Sequence, residues 1–490
     1  MNNNEFLQRV KNGFKHSSER RLTLKVFQVI KNFLQESDYI QEFKFPSSRF
    51  LSESLGISRD TIEKSYELLE NEKLVYRVKG KGTFSIPSQI PRTIQEEGNS
   101  SLPEQLIQLE TLFFDQNLDF FADGMPEVRN FPFKKWYDTE KLALEQNGLN
   151  IFLKDNTQGL PLLRQEIANL VNTQRHSRVQ PENILIVNST QQALYLCGRV
   201  LFHPNDRVIM ENPYYSNASH LFKMLGLNIH YCDIDAQGLM IEHCHHLTDI
   251  KAIYVTPASQ YPTGIQMSMQ RKKEIVAYAR QQNSFIIEDD YDALLLNRSE
   301  NDAILGLDSY QRTIYIGSFS KYILPSLRMS YMILPSALVD AFTRYRNYID
   351  GSAPSQYFQT ILGKFMQRGY YAEYLTQMQR IYHERYEAFI FYFHQYLSEF
   401  CFIHEHSPAM QVACYFKENL PDELEESLVQ AAALKNISLT RLSQFYAQHP
   451  NYGFVLGFSS LNPTEIKSCM LQLHGLITTE LKRVNNIIVP

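Results

Sequence analysis

Gly317-Ser318-Phe319-Ser320-Lys321-Tyr322-Ile323-Leu324-Pro325-Ser326-Leu327-Arg328 is the stretch around which this chain of 490 residues is organised. It follows Thr313-Ile314-Tyr315-Ile316, an apolar run that reads as a short buried strand closed by glycine. A lysine just past a strand end, among small hydroxyl residues and upstream of an arginine, suits a group that needs both a covalent amine and a phosphate clamp. Pyridoxal phosphate is such a group. Lys321 would form the Schiff base, which requires its pKa to be lowered by a desolvated or cationic setting. Ser318, Ser320 and Arg328 would hold the phosphate through hydroxyl and charge-assisted hydrogen bonds.

Working outward, four earlier apolar runs read as strands: Ile184-Leu185-Ile186-Val187, Arg207-Val208-Ile209-Met210, Ala252-Ile253-Tyr254-Val255 and Phe285-Ile286-Ile287. Helical patterns separate them, so the fold class is α/β, a largely parallel sheet covered by helices. In such sheets ligands bind beyond the carboxyl ends of the strands. After the first run, Asn188-Ser189-Thr190-Gln191-Gln192 is a small polar turn opening a helix, whose backbone amides suit a phosphate. After the second, Glu211-Asn212-Pro213-Tyr214-Tyr215 offers an aromatic face for a pyridine ring. After the third comes Tyr261, placed to hydrogen-bond the cofactor phenolate, within Thr256-Pro257-Ala258-Ser259-Gln260-Tyr261-Pro262-Thr263-Gly264. After the fourth stands the cluster Glu288-Asp289-Asp290-Tyr291-Asp292, of which one carboxylate would pair with the protonated pyridine nitrogen.

Residues 1–86 have a different character. They hold 15 Lys+Arg against 11 Asp+Glu, whereas the remainder holds 33 against 42, so a basic head sits on an acidic body and the head is expected to meet a polyanion. Leu22, Val26, Val29, Ile30, Phe33 and Leu34 recur at helical spacing. Pro46-Ser47-Ser48 then starts a helix with Ser47 or Ser48 as N-cap, Gly56 makes a turn, and Ser58 caps a second helix whose apolar stripe is Ile62, Tyr66 and Leu69. Two short helices joined at a glycine describe a helix-turn-helix. Leu74–Val78 and Thr83–Ile86 alternate as strands around Lys79-Gly80-Lys81-Gly82, a basic tip able to approach a phosphate backbone, which makes the helix-turn-helix winged. Asp60 and Glu63, close by, are expected to repel a phosphate or to accept from a cytosine amine. Over residues 87–112 the periodicity fades among Pro87, Pro91, Gly98 and Pro103, which reads as a flexible linker to a body spanning 113–490.

Composition fits a globular chain of two or three domains, with 44% apolar and 21% charged residues. There is no apolar run of about 18 residues and no signal-peptide pattern after Met1, so a cytoplasmic location is expected. Six cysteines without CxxC spacing imply reduced thiols. His243-Cys244-His245-His246 reads as a surface turn rather than a metal site, because adjacent residues rarely converge on one ion.

Pro46-Ser47-Ser48-Arg49, Leu55-Gly56-Ile57-Ser58-Arg59-Asp60-Thr61-Ile62 and Gly80-Lys81-Gly82-Thr83-Phe84 resemble the DNA-binding domain of GntR-family regulators. The resemblance implies Arg49 on a phosphate, Ser58, Arg59 and Thr61 at the DNA-facing end of the recognition helix, and Lys79 and Gly80 in the wing. The body resembles the fold-type I aminotransferases through Phe121-Ala122-Asp123-Gly124-Met125-Pro126, Gly159-Leu160-Pro161-Leu162-Leu163-Arg164, Tyr261-Pro262-Thr263-Gly264, Glu288-Asp289-Asp290-Tyr291 and Ser318-Phe319-Ser320-Lys321 with Arg328. Together the halves look like the MocR-type subfamily of GntR regulators. That resemblance implies Lys321 as the Schiff-base lysine, Asp289 as partner of the pyridine nitrogen and Tyr215 stacked on the ring. It places Tyr261 and Tyr291 near the ring oxygen, and Ser189, Thr190, Ser318, Ser320 and Arg328 around the phosphate. It also implies a smaller C-terminal α/β subdomain and a homodimer, and the linker leaves room for heads and bodies crossed between subunits. Strand alternation is expected to turn Glu288 and Asp290 away from the face that Asp289 occupies.

The chain departs from the resembled pattern in two places. Ser189 stands where glycine is frequent, which is expected to constrain the backbone. Relatives that bind amino acids clamp the ligand carboxylate with arginine two residues after the stacking aromatic, or near a motif like Leu456-Gly457-Phe458. Here those places hold Asn217 and Phe454-Val455-Leu456-Gly457-Phe458, without arginine. The expected function is a regulator that binds a double-stranded DNA operator and senses an amine, an amino acid or the cofactor itself through an aldimine at Lys321. The alternatives are an aminotransferase with an appended DNA-binding domain and a scaffold that binds no cofactor.

Overall fold

The protein was analysed as a computed structural model that describes residues 3–16, 19, 21–36, 43–78, 80–86, 120–154, 157–295, 302–404, 410–417, 420–421 and 423–488. The chain divides into two units, Met1–Phe114 and Asp115–Pro490. The whole linker expected over 87–112, and the wing-tip Lys79, lie outside the described residues.

In the first unit, α1 (Asn3–His16), α2 (Leu22–Glu36), α3 (Ser48–Leu55) and α4 (Arg59–Asn71) precede a hairpin of β1 (Val75–Val78) and β2 (Gly82–Ser85). Its core gathers Val26, Ile30 and Phe33 from α2, Leu51 from α3, and Ile62, Tyr66 and Leu69 from α4. The caps follow the sequence. Ser47 Oγ accepts from the Phe50 amide at 3.3 Å, Ser58 Oγ from the Thr61 amide at 3.2 Å, and Gly56 turns the chain at φ +68°. The helix α1 was not expected. Its first residues are polar, yet Phe6 and Val10, one turn apart, are wholly buried, and Phe6 meets Phe33 edge-on at 4.9 Å.

The second unit is built on an eight-stranded sheet: β3 (Ile184–Val187), β4 (Arg207–Asn212), β5 (Asn228–Asp235), β6 (Gly238–Leu239), β7 (Ile250–Val255), β8 (Phe285–Asp290), β9 (Thr313–Ser318) and β10 (Ser330–Ile333). The spatial order is β3-β10-β9-β8-β7-β4-β5-β6. β5, β4, β7, β8 and β9 are parallel neighbours, while β10 runs antiparallel between β3 and β9. Both faces are covered. Ile184 and Ile186 pack with Leu163 and Tyr315, whereas Leu185 and Val187 pack with Leu194 and Phe222 on the other side. Burial on both faces is why these strands read as unbroken apolar runs.

The five expected strands are present, but three end later than their apolar runs. Glu211, the carboxylates Glu288 to Asp290, and Ser318 belong to the last ladder positions rather than to the following turns, with Asp289 opposite Ile316 and Asp290 opposite Gly317. Polar side chains remain in these strands because the ladder satisfies their backbone and neighbouring groups reach at least one oxygen of each acid. β5, β6 and β10 were not anticipated; β5 lies near the sheet edge, mostly half-buried, and alternates too weakly to read.

A second sheet, β11 (Cys401–Ile403), β12 (Gln411–Phe416), β13 (Thr440–Arg441) and β14 (Gly453–Gly457), is antiparallel in the order β11-β12-β14-β13. Its helices Tyr370–Tyr396 and Pro463–Ile488 share a core containing Phe389, Phe393, Ile466 and Met470. The segment opening the body lies along this subdomain: the Gly457 amide donates to the Phe121 carbonyl at 2.9 Å and Ser459 Oγ to the Met125 carbonyl at 2.6 Å. All six cysteines are buried free thiols. No helix among the described residues is long and apolar enough to cross a membrane, and no described residues form a cluster suited to a metal ion.

Candidate functional site: a polar chamber at the strand ends and a basic helix-turn-helix

Lys321 follows β9 and its Nζ donates to the Gly124 carbonyl at 3.0 Å. Gly124 has φ +67°, which favours glycine, and a Cβ there would stand 1.9 Å from Lys321 Nζ, so any other residue would displace the amine. The last positions of β8 and β4 each carry a buried acid, of which Asp289 faces this chamber. Asp289, 4% exposed, accepts from the Tyr254 hydroxyl at 2.8 Å through Oδ2, while Oδ1 is buried and has no hydrogen-bond partner among the described residues. Burial pushes its pKa up to about 7, against the opposing charge of Lys321. Glu211 is similar: it accepts from the Thr256 amide at 3.2 Å and hydroxyl at 2.8 Å, its Oε1 is buried without a partner among the described residues, and burial pushes it up to about 7.

Alternation along β8 separates the three neighbouring acids as expected. Glu288 accepts from the amides of Ile304 and Leu305 at 2.9 Å each and stands 4.0 Å from Arg175. Asp290 pairs with the same arginine at 2.7 Å and accepts from the Tyr315 hydroxyl. Only Asp289 faces Lys321 with an unused oxygen.

Three tyrosines line the chamber. Tyr215 meets Tyr261 edge-on at 5.2 Å, and Tyr261 meets Tyr291 at 6.1 Å. The Tyr261 hydroxyl donates to Asp123 Oδ2; that of Tyr291 lies 3.5 Å from Ser259 Oγ and accepts from Gln411 Nε2 at 3.3 Å. Burial first, then nearby carboxylates, push the Tyr215, Tyr261 and Tyr291 phenols upward, which keeps them protonated donors at neutral pH.

The residues expected around a phosphate are brought together by β10. Ser330 pairs across the ladder with Val187 on one side and Ser318 on the other, so the turn after β3 and the turn after β9 converge. Ser318 Oγ accepts from the Ser320 amide at 3.2 Å and lies 3.1 Å from Ser330 Oγ. Ser189 caps the helix Thr190–Leu201, accepting from the Gln192 amide at 3.1 Å. Its φ of −168° is extended backbone open to any residue, so the constraint expected from replacing glycine does not arise. Arg328 is exposed, adopts φ +48°, and makes no ion pair among the described residues. Sequence reasoning missed Tyr254, Gln411 and Asp123 as chamber residues, and Glu211 as a buried acid at the end of β4. Asp123 belongs to the motif Phe121-Ala122-Asp123-Gly124, and alternation along β7, which sets Tyr254 on the face of Ile287 and Asp289, was the available signal for Tyr254.

In the head, Arg49 and Arg59 have side chains 80% and 67% exposed. Arg49 pairs with Glu53 at 3.4 Å, while Arg59 donates to Ser48 Oγ at 3.3 Å and stands 3.9 Å from Glu63. Ser58 is exposed at the start of α4, its hydroxyl 2.7 Å from that of Thr61, and Gly80 turns the hairpin at φ +78°. The two acids expected to repel or read DNA each have an internal partner. Asp60 pairs with Lys64 at 2.8 Å; Glu63 pairs with Arg77 of β1, and a hydrogen bond from Ser48 followed by that arginine holds its carboxyl below the usual range.

Comparison with known proteins matches residues 123–446 to aminotransferase class I and II and residues 22–84 to bacterial regulatory proteins of the gntR family. The probable rhizopine catabolism regulatory protein MocR of Rhizobium meliloti is 29% identical over 434 residues, covering 86% of this chain and 87% of that one. The HTH-type pyridoxine biosynthesis transcriptional regulator PdxR of Corynebacterium glutamicum is 27% identical, covering 69% and 72%. Among solved structures, the multiple substrate aminotransferase of Thermococcus profundus superposes with a TM-score of 0.69 at 23% identity, covering 78% of this chain and 96% of that chain. An archaeal alanine:glyoxylate aminotransferase does so at 0.68 and 25%, covering 77% and 94%. The chain belongs to the aminotransferase class I and II family and, with a GntR-family helix-turn-helix ahead of that unit, to the MocR-type subfamily of GntR regulators.

Proposed function

We propose that this protein is a transcription regulator whose head binds a double-stranded DNA operator and whose body holds pyridoxal phosphate and reads an amine effector. The observation that carries the reading is the buried, unpartnered Asp289 Oδ1 in the chamber of Lys321, within a chain that also presents a GntR-type helix-turn-helix. The residues fit the cofactor. Asp289 offers an acceptor to a protonated ring nitrogen, Tyr215 an aromatic face, and Tyr261 and Tyr291 donors to a ring oxygen. Ser189, Thr190, Ser318, Ser320 and Arg328 offer hydroxyls, a helix N-terminus and a cation to a phosphate. Bound there, the cofactor supplies an aldehyde that condenses reversibly with primary amines. Lys321 supplies the resident amine, Asp289 keeps the ring nitrogen protonated, and the strand ends exclude water.

On DNA, Arg49, Arg59 and the wing around Lys79 and Gly80 contact the backbone while Ser58 and Thr61 present the start of α4 to the groove. A homodimer bound to paired half-sites is the proposed assembly, and a monomer on one half-site would contradict it. An effector shifts DNA binding only by binding the body's two states unequally. The presence of both Asp289 and Lys321 also suits a working aminotransferase, and sustained turnover with amino donors and keto acids would favour that reading. For the cofactor, wild type supplied with pyridoxal phosphate is expected to show the visible absorbance of lysine-linked cofactor, and Lys321→Ala to lack it. Retention of that band in the variant would overturn the assignment.

A further inference from the structure

The charge balance at the ligand end of the chamber points to the class of effector. The hydroxyls and Arg328 gather where β3, β10 and β9 meet, whereas Asp123 stands beside the turn after β7, where its Oδ2 accepts from Tyr261. Its Oδ1 is buried with no hydrogen-bond partner, and no cation pairs with Asp123 among the described residues. The carbonyl of the next residue, Gly124, accepts from Lys321 Nζ at 3.0 Å, which puts Asp123 beside the reactive amine. On its other side, a Cβ on Gly457 would stand 3.0 Å from Asp123 Cα, so Asp123 lies against the end of β14. The strand there supplies Phe454, Val455 and Leu456, all buried and uncharged, and Asn217 offers only an amide, already donated to the Tyr215 hydroxyl at 3.3 Å. Asp123 and Asp289 are thus two acids near Lys321 at this end of the chamber. A ligand carboxylate brought to this end would add like charge beside an acid that has no cationic partner among the described residues. A ligand cation would give Asp123 the charge-assisted partner it is missing.

We propose that the effector is an amine with a second positive charge and no carboxylate: one nitrogen addresses the position of Lys321 and the other pairs with Asp123. This rests on the cofactor reading given above. The test is calorimetric titration of the full-length, cofactor-loaded protein with 1,4-diaminobutane, n-butylamine and 4-aminobutanoate, with the visible band recorded in the same samples. The diamine is expected to bind about tenfold more tightly than the monoamine, or about 1.4 kcal/mol, and the amino acid least tightly. Asp123→Asn, which can still accept from Tyr261, should bring the ratio of diamine to monoamine affinity close to one, and Asp123→Glu should restore most of it. The inference fails if the amino acid ranks first, if diamine and monoamine bind alike, or if Asp123→Asn keeps the preference. A wild type with no visible band would instead overturn the cofactor reading itself.

Discussion

The head and the body solve the problem of binding an anionic partner in opposite ways. On the head, Arg49 and Arg59 are exposed, and each stands near an acid or hydroxyl of its own helices. Exposed pairs of this kind contribute about 0–1 kcal/mol, so exchanging Glu53 or Glu63 for a phosphate costs little. In the body, Asp289 and Glu211 are buried, and each leaves an oxygen without a partner among the described residues. An unsatisfied buried acceptor costs roughly 1–3 kcal/mol, which a ligand donor removes. The free head therefore carries no buried unsatisfied acid for its partner to relieve, whereas the body does; both units gain stability from their ligands by mass action.

The comparison can be broken most sharply by loosening the head's core. Ile62→Ala removes a wholly buried side chain of α4 and is expected to cost about 2–5 kcal/mol. Heating the full chain should then show an earlier transition together with lost DNA binding, while the visible band of the loaded body persists; joint loss of both would deny that the units are independent. Next in size, Asp289→Asn should weaken cofactor affinity by about tenfold to a hundredfold, since a charge-assisted bond is worth roughly 1.5–3 kcal/mol, read by absorbance titration. The same variant tests the pH dependence. Burial raises Asp289 and Glu211 to about 7, above their values in the unfolded chain. Their contribution to stability is thus fully present below the ordinary carboxylate range and is lost as pH rises through about 7. Melting temperatures of cofactor-free protein should fall between pH 5 and pH 8 through about this window, and Asp289→Asn should flatten the fall. Smallest of all, Arg49→Ala or Arg59→Ala should each lower the slope of log affinity against log salt by about one, without altering the visible band. An unchanged slope would remove that arginine from the phosphate contacts.

Much of this was legible in the residues because it depends on local physics. The caps Ser47 and Ser58, the turn at Gly56 and the apolar runs of β3, β4, β7, β8 and β9 announce themselves through short-range hydrogen bonding and burial on both sheet faces. Alternation along β8 was enough to separate Asp289 from Glu288 and Asp290. The helix α1 was hidden by its polar composition, since only Phe6 and Val10 mark the buried side, and β5 by half-burial near a sheet edge.

Lys321, its strand-end setting and its flanking hydroxyls were determined by the sequence alone, because a lysine after a buried strand is positioned by the strand itself. The tertiary structure decided what surrounds it. β10, antiparallel between β3 and β9, joins two phosphate turns that are more than a hundred residues apart. Asp123 becomes part of the site only because Gly124 touches Lys321 and the segment lies along β14. Such contacts join residues distant in the chain, and nothing in the local pattern of either partner records them; what they set is the charge at the ligand end of the chamber, and with it the kind of amine the chamber can hold.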